Sequence, residues 1–436
     1  MRSKDLTIVV IGAGSSFGRG ILADIMGAPE FRELRCRAIL VDTNPEALDR
    51  MYRFGVLLRD RCDAKVTLEQ TPDREQALRD ADYVLTSVAI KRYPLWEQDF
   101  RVPLAYGFRH VLGENGGPGA LFHALRNFEL MLPIARDMER LCPDALLLNF
   151  TNPESRIIMA VTSLTKVRAV GLCHGAMACL QGVAKILGRS LDELAVVTGG
   201  LNHFFWLTKV TDKKTGEDLY PRLRDRVLHD PECPAAPPLV RKMVGIFGYY
   251  TYPSDDHIGE YLSFAHEFTG VKWGYGQESR PVPFHNPPAA THPLDDYVSG
   301  RRPLDEAATR KSGELAIPIV LDIECDRRGW EWAVNVPNVA GYVANLDREA
   351  IVEVPAMVDR EGVHPQSIGA LPDALVAFSA RQVSIQKLLV EAYAQRSRNL
   401  LLQALLLDPV VDSVERAERM LEDMLELQKD YLPVFT

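Results

Sequence analysis

The chain has 436 residues, of which 47% are apolar and 25% charged, with a formal net charge of −9. That is the balance expected of a globular protein of two or three domains. The acidic excess offers no basic field to a nucleic-acid backbone, and no apolar run reaches the roughly 20 residues that a membrane helix needs.

Residues 7–14, Thr-Ile-Val-Val-Ile-Gly-Ala-Gly, read as a buried strand entering a glycine turn, and 17–27 as a helix. A second strand is expected over 37–42, ending on Asp42, and further strands over 81–89 and 145–152, with a helix at 122–141. Apolar strands alternating with amphipathic helices predict a doubly wound parallel sheet, running to about residue 200. Beyond it, 213–240 is polar and proline-rich, a loop or peripheral helix, and 276–303 has the Pro, Gly, Asn and His content of a long loop. The β-branched stretch 331–354 predicts a small antiparallel sheet, and 371–429 is helical in pattern. The expected architecture is therefore α/β: a Rossmann-type domain over 1–200 and an α+β domain over 201–436 that carries substrate, metal and oligomer contacts. Seven scattered cysteines, an odd number, make no disulfide framework. The first residues run straight into a strand with no signal-peptide pattern, so a reducing cytoplasm is the expected setting.

Gly12-Ala13-Gly14-Ser15-Ser16-Phe17-Gly18 follows a strand and opens a helix. A dinucleotide site needs a tight turn, close backbone approach to a pyrophosphate and free N–H groups at a helix start, and this loop suits it. The third glycine, Gly18, falls one position late for the usual spacing, so the loop alone also fits an ordinary strand–helix turn. Asp42 ends the second strand, where a carboxylate accepts from a ribose diol and repels a 2′-phosphate, which favours NAD over NADP. A helix-cap role before Asn44-Pro45 is the plainer alternative.

Gly-Leu-Cys173-His174-Gly175 and Gly-Leu-Asn202-His203-Phe-Phe-Trp each place a metal-competent side chain beside a second polar group. Taken singly, Cys173 reads as a buried small hydrophobe and His203 as a hydrogen-bonded core histidine. Together, at the C-terminal side of a dinucleotide sheet, they form a candidate metal site with positions open for substrate oxygens. Thiolate and imidazole by softness favour zinc. Asn152, held extended by Pro153, projects an amide toward the same place or closes an Asx turn. Ser254-Asp255-Asp256-His257 supplies carboxylates for a general base, or simply a helix start. Glu114 sits in a Gly-rich turn.

The ordered set resembles glycoside hydrolase family 4, the NAD- and metal-dependent glycosidases. It comprises IGAGS at 11–15, Glu114 with GPG at 117–119, NxxNPE at 149–154, CHG at 173–175 and GLNHFFW at 200–206. DxHxxEY at 255–261 and NVPNxG with its VExP extension at 335–355 complete it. The resemblance spans nearly the whole chain. It implies hydrolysis by C3 oxidation, C2 deprotonation, elimination, water addition and re-reduction, a recognised exception to two-carboxylate glycoside hydrolysis.

Position by position, the resemblance implies that Cys173 and His203 hold the metal, usually manganese, and that His174 assists the leaving group. Asp255 would be the base, with Tyr249, Tyr250 or Tyr252 as rivals. Asn152 and Glu114 would contact sugar hydroxyls, and Gly12, Gly14, Ser15 and Asp42 the NAD. CHG is similar to the branch acting on α-glucuronides or α-galacturonides. A uronate needs a cation, for which Arg280, Lys91 and Arg92 are candidates by location.

An α-galactosidase or α-glucosidase of the same mechanism is the alternative. A lactate/malate-type NAD-dependent dehydrogenase, whose architecture the whole chain is expected to share, is a more distant one. A homodimer or homotetramer acting on a small-molecule glycoside is expected.

Overall fold

The computed structural model describes residues 5–269 and 292–436. Among them eleven strands form one sheet: β1 (Leu6–Ile11), β2 (Cys36–Val41), β3 (Thr67–Thr71), β4 (Tyr83–Thr86), β5 (Leu146–Asn149), β6 (Arg168–Gly171), β7 (Leu194–Leu201), β8 (Phe204–Asp212), β9 (Gly329–Pro337), β10 (Ile351–Asp359) and β11 (Gly362–Pro365). The order is β3-β2-β1-β4-β5-β6-β9-β10-β7-β8, with β11 on β10. The first six are parallel. Their order reverses at β1, and ligands of open α/β sheets bind in the crevice at the strand carboxyl ends beside such a reversal.

The sequence of β1 explains its place. Every residue is buried, with Ile8 and Val10 facing one core and Val9 and Ile11 the other. A strand covered on both faces reads as an unbroken apolar run. Helices Gly18–Met26 and Pro45–Arg61 pack into the first core, and helices Gly119–Leu141 and Glu154–Leu164 into the second. Asn44 starts the Pro45–Arg61 helix by accepting the Glu46 and Ala47 N–H groups, with Pro45 at the first helical position.

Some expectations change and others hold. β3 escapes the sequence pattern because only Leu68 is buried in this edge strand. The expected separate antiparallel sheet is β9 and β10, but Gly171 of β6 pairs antiparallel with Asn335 of β9. Parallel and antiparallel parts are thus one sheet, and a boundary at residue 200 falls inside β7. The 213–240 stretch contains the helix Tyr220–His229. Of the 276–303 loop, 276–291 lies outside the described residues, and the rest holds the short helix Asp295–Val298. The 371–429 pattern forms helices Asp373–Gln395, Arg398–Leu406 and Val414–Leu427. No described helix is long and apolar enough to cross a membrane.

Candidate active site

The carboxyl ends of β1, β4, β5 and β6 open onto a cavity of about 850 Å3. Gly12, Gly14, Ser15 and Asp42 line one end, and Asn152, Cys173, His174 and His203 the other.

At the first end, Gly12 turns at φ +82°, and a Cβ on it would stand 2.1 Å from the Ser87 carbonyl oxygen. A Cβ on Gly18 would stand 1.9 Å from the Ala13 carbonyl oxygen. The displaced third glycine thus still serves close packing of helix against turn. Asp42 accepts from the Gly14 N–H at 2.8 Å and the Asn44 N–H at 2.8 Å. Its carboxylate therefore ties the glycine loop to the end of β2 while still lining the cavity. Ser15 Oγ is buried and has no hydrogen-bond partner among the described residues. An orphaned hydroxyl beside a glycine turn and a helix start fits a bound dinucleotide phosphate.

At the other end, Cys173 leaves β6 and His203 sits in the two-residue turn between β7 and β8, at φ +61°. A non-glycine residue held in this left-handed region is a strain that tends to gather at functional sites. Cys173 Sγ lies 3.4 Å from His203 Nε2 and accepts the Gly175 N–H at 3.3 Å. Burial, followed by the neighbouring imidazoles of His257 and His174, holds His203 well below the usual imidazole range. The ring is therefore neutral, the state in which a histidine binds a metal. Burial, with Glu353 nearby, pushes the Cys173 thiol up, and a cation there would offset that cost. Among the described residues no third His, Cys, Asp or Glu completes a metal group with them. The pair fits a divalent ion that keeps open positions for substrate oxygens.

Behind the turn, Asn202 Nδ2 donates to Glu353 Oε2 at 2.9 Å, and Asn335 Nδ2 donates to it at 3.2 Å. Burial pushes Glu353 up to about 7, against both amide bonds. Glu353 anchors the His203 turn. In the sequence it is visible only as the VExP extension, with no role attached.

Two expected catalytic groups point elsewhere. Asp255 accepts the Leu239 and Val240 N–H groups, each at 3.0 Å, and so caps the helix Pro238–Phe247. Tyr250 is fully buried, and its phenol donates to the Ala235 carbonyl. Neither lines the cavity. From the same segment His257 does, with its ring centroid 4.7 Å from that of His203. Asp256 holds its Nδ1 at 2.9 Å, and Tyr252 stacks on it at 4.8 Å and 6°. Burial would raise Asp256, but the His257 contact outweighs it and holds the carboxyl down at about 2. The sequence pattern drew attention to the carboxylates and passed over His257 beside them.

Glu114 is fully buried behind Arg92, whose Nη2 donates to Glu114 Oε1 at 2.7 Å. Arg92 lines the cavity, so Glu114 reaches it through the guanidinium. Arg280 lies outside the described residues. Asn152 is on the cavity wall, and its carbonyl accepts from the Asn127 amide. His174 is half exposed, and its Nδ1 stands 3.4 Å from Glu314 Oε1. The Glu314 hydrogen bond, only partly opposed by burial, raises this histidine. No pattern in the sequence points to Glu314.

Fold and site together define an α/β enzyme of the dinucleotide-binding architecture, with a thiol–imidazole pair at the mouth of its nucleotide crevice. Residues 7–189 match the Family 4 glycosyl hydrolase description, and residues 198–411 the Family 4 glycosyl hydrolase C-terminal domain. The chain belongs to family 4 of the glycosyl hydrolases. It is 30% identical to an α-galactosidase of Bacillus subtilis (strain 168) over 98% of this chain and 99% of that protein. It is 31% identical to an α-glucosidase of Erwinia rhapontici over 98% of both. A 6-phospho-α-glucosidase from gut microorganisms, solved in complex with NAD and Mn2+, superposes with a TM-score of 0.81 at 22% identity, covering 99% of this chain and 100% of that one. The fold extends to a malate dehydrogenase from Plasmodium falciparum, with a TM-score of 0.53 at 11% identity over 91% of this chain and 99% of that one. The dehydrogenase-like architecture expected from the sequence is therefore present, on a glycosidase.

Proposed function

We propose that this enzyme hydrolyses neutral α-hexosides, α-galactosides or α-glucosides, with NAD and a divalent metal ion, by redox-assisted elimination. The carrying observation is that Gly12, Gly14, Ser15 and Asp42 share one cavity with the Cys173–His203 pair. When bound, the dinucleotide supplies a reversible hydride acceptor, and the ion supplies charge that stabilises a sugar enolate.

The chain's own residues do the rest. Ser15 would meet the phosphates, and Asp42, which holds the Gly14 N–H, would face the ribose. Cys173 and His203 would hold the ion, with manganese favoured by the family and by the solved relative bound to NAD and Mn2+. His174 stands at the leaving-group side. His257, oriented by Asp256, takes the place first assigned to Asp255 and Tyr250 as the acid–base group beside the metal pair. Asn152 meets sugar hydroxyls.

The neutral-sugar assignment replaces the uronide expected from CHG alone. The two relatives at 30% and 31% identity are an α-galactosidase and an α-glucosidase. Moreover, Arg92, which among the described uronate candidates lines the cavity, already holds the Glu114 carboxylate. A uronate there would have to compete with the buried carboxylate of Glu114 for that guanidinium.

The test is aryl-glycoside hydrolysis after chelation, with and without NAD and manganese under reducing conditions, on α-galactoside, α-glucoside, α-glucuronide and α-galacturonide. Release from a neutral sugar only with both additives is expected. Release from a uronide alone overturns the sugar assignment, and net NADH accumulation without release overturns the mechanism.

A further inference from the structure

A second cavity of about 420 Å3 adjoins the first. Ser16, Phe17 and His174 line both, so the two form one cleft with His174 at its waist. We infer that this second cavity is the subsite for the leaving group, shaped for an uncharged, hydroxyl-bearing sugar. The inference rests on the proposed glycosidase function and on the role of His174 in it.

The position follows from the reaction. The sugar that reacts must lie against Cys173 and His203, and the glycosidic oxygen must come within reach of His174. The group beyond that oxygen then extends to the far side of His174, where the second cavity lies. Its size is within the range of small-molecule sites.

The lining supplies the chemistry. Met177, Ala178 and Gln181 follow His174 at helical spacing, so the helix Gly175–Leu187 presents an apolar floor ending in an exposed amide. Arg19 stands on the opposite helix, with one guanidinium nitrogen, Nη1, donating to the Ala307 carbonyl at 3.0 Å. Glu314 closes the third side and is buried. Its segment is pinned: the Ser312 N–H donates to Asp24 Oδ1 at 2.9 Å, and Glu314 N–H donates to Ser312 Oγ at 2.9 Å. The titratable groups on the lining of this cavity are the Arg19 guanidinium, the His174 imidazole and the Glu314 carboxylate. A phosphate or carboxylate on the leaving group would meet Glu314, whereas a pyranose can offer hydroxyls to Arg19, Gln181 and Glu314 and its C–H face to Met177 and Phe17.

The experiment compares kcat/KM for an α-hexosyl disaccharide and for the matching α-hexosyl fluoride, whose leaving group is too small to fill the cavity. Gln181→Ala is measured beside the wild type, with Arg19→Lys as a second variant, all loaded with NAD and manganese. The disaccharide-to-fluoride ratio is expected to fall about tenfold or more in Gln181→Ala, mostly through KM, and less in Arg19→Lys. A ratio within twofold of the wild type in both variants, with wild-type turnover of both substrates intact, overturns the subsite and leaves the glycosidase reading standing. A wild type that turns over neither substrate removes the function itself and overturns both.

Discussion

Gly175→Ala tests the geometry of the site most directly. A Cβ built on Gly175 stands 2.2 Å from Tyr252 Cε2 and 3.0 Å from its Cδ2. The ring must therefore retreat by roughly an ångström or more to reach ordinary van der Waals contact. It has little room: Tyr252 is buried, stacked on His257 at 4.8 Å and edge-on to Phe205 at 6.0 Å. Overpacking of this kind costs about 1–3 kcal/mol. Tyr252→Ala alone leaves a cavity and costs about 3 kcal/mol. In the double variant the new methyl group enters space the ring has left, so the two costs fall short of their sum by about 1–2 kcal/mol. Urea denaturation of the four proteins gives the coupling directly. Because the retreating ring carries His257 with it, turnover of Gly175→Ala should fall even where the protein stays folded. Additive stabilities, or a Gly175→Ala variant as stable and as active as the wild type, would refute the packing argument.

Other consequences are as direct. Cys173→Ser is expected to lower metal-dependent turnover by more than about a hundredfold while NAD titration stays close to wild type; full activity in that variant would remove the metal assignment. Asp42→Ala leaves the Gly14 and Asn44 N–H groups without their acceptor, and should weaken NAD binding about tenfold in a fluorescence titration, with an unchanged Kd counting against the ribose role. Burial, reinforced by Asp322, pushes Glu331 from 4.5 up to about 8. A carboxyl raised on folding stabilises the native state fully below its unfolded value, and that contribution is lost as pH rises through the folded one. Glu331→Gln should therefore gain on the wild type by roughly 1.4 kcal/mol per pH unit between about 4.5 and 8 and then level off. A flat difference across denaturation curves in that range would show Glu331 ionised throughout.

The sequence by itself determined the parallel half of the fold and singled out part of the candidate site. Strands buried on both faces, such as β1, must be apolar throughout, and a turn as tight as Gly12 admits almost nothing else. Those demands are local and leave a mark in the sequence. Cys173 and His203 stood out as candidates for a related reason, since few other residue types can bind a metal. The edge strand β3 was not legible, because half-exposed backbone pairing asks little of its side chains. Nor was the union of β6 with β9 through Gly171 and Asn335, a pairing between segments far apart in the chain that no local pattern encodes.

The acid–base assignment shows the same division. Asp255, Asp256 and His257 are consecutive, and all three types can move protons. Only the tertiary structure gives Asp255 a helix to cap, Asp256 a histidine to hold and His257 a place on the cavity wall. Which chemically competent group faces the substrate depends on side-chain direction and on partners brought from distant segments, such as Tyr252 against Gly175 and Glu314 against His174. These are decided by packing in three dimensions.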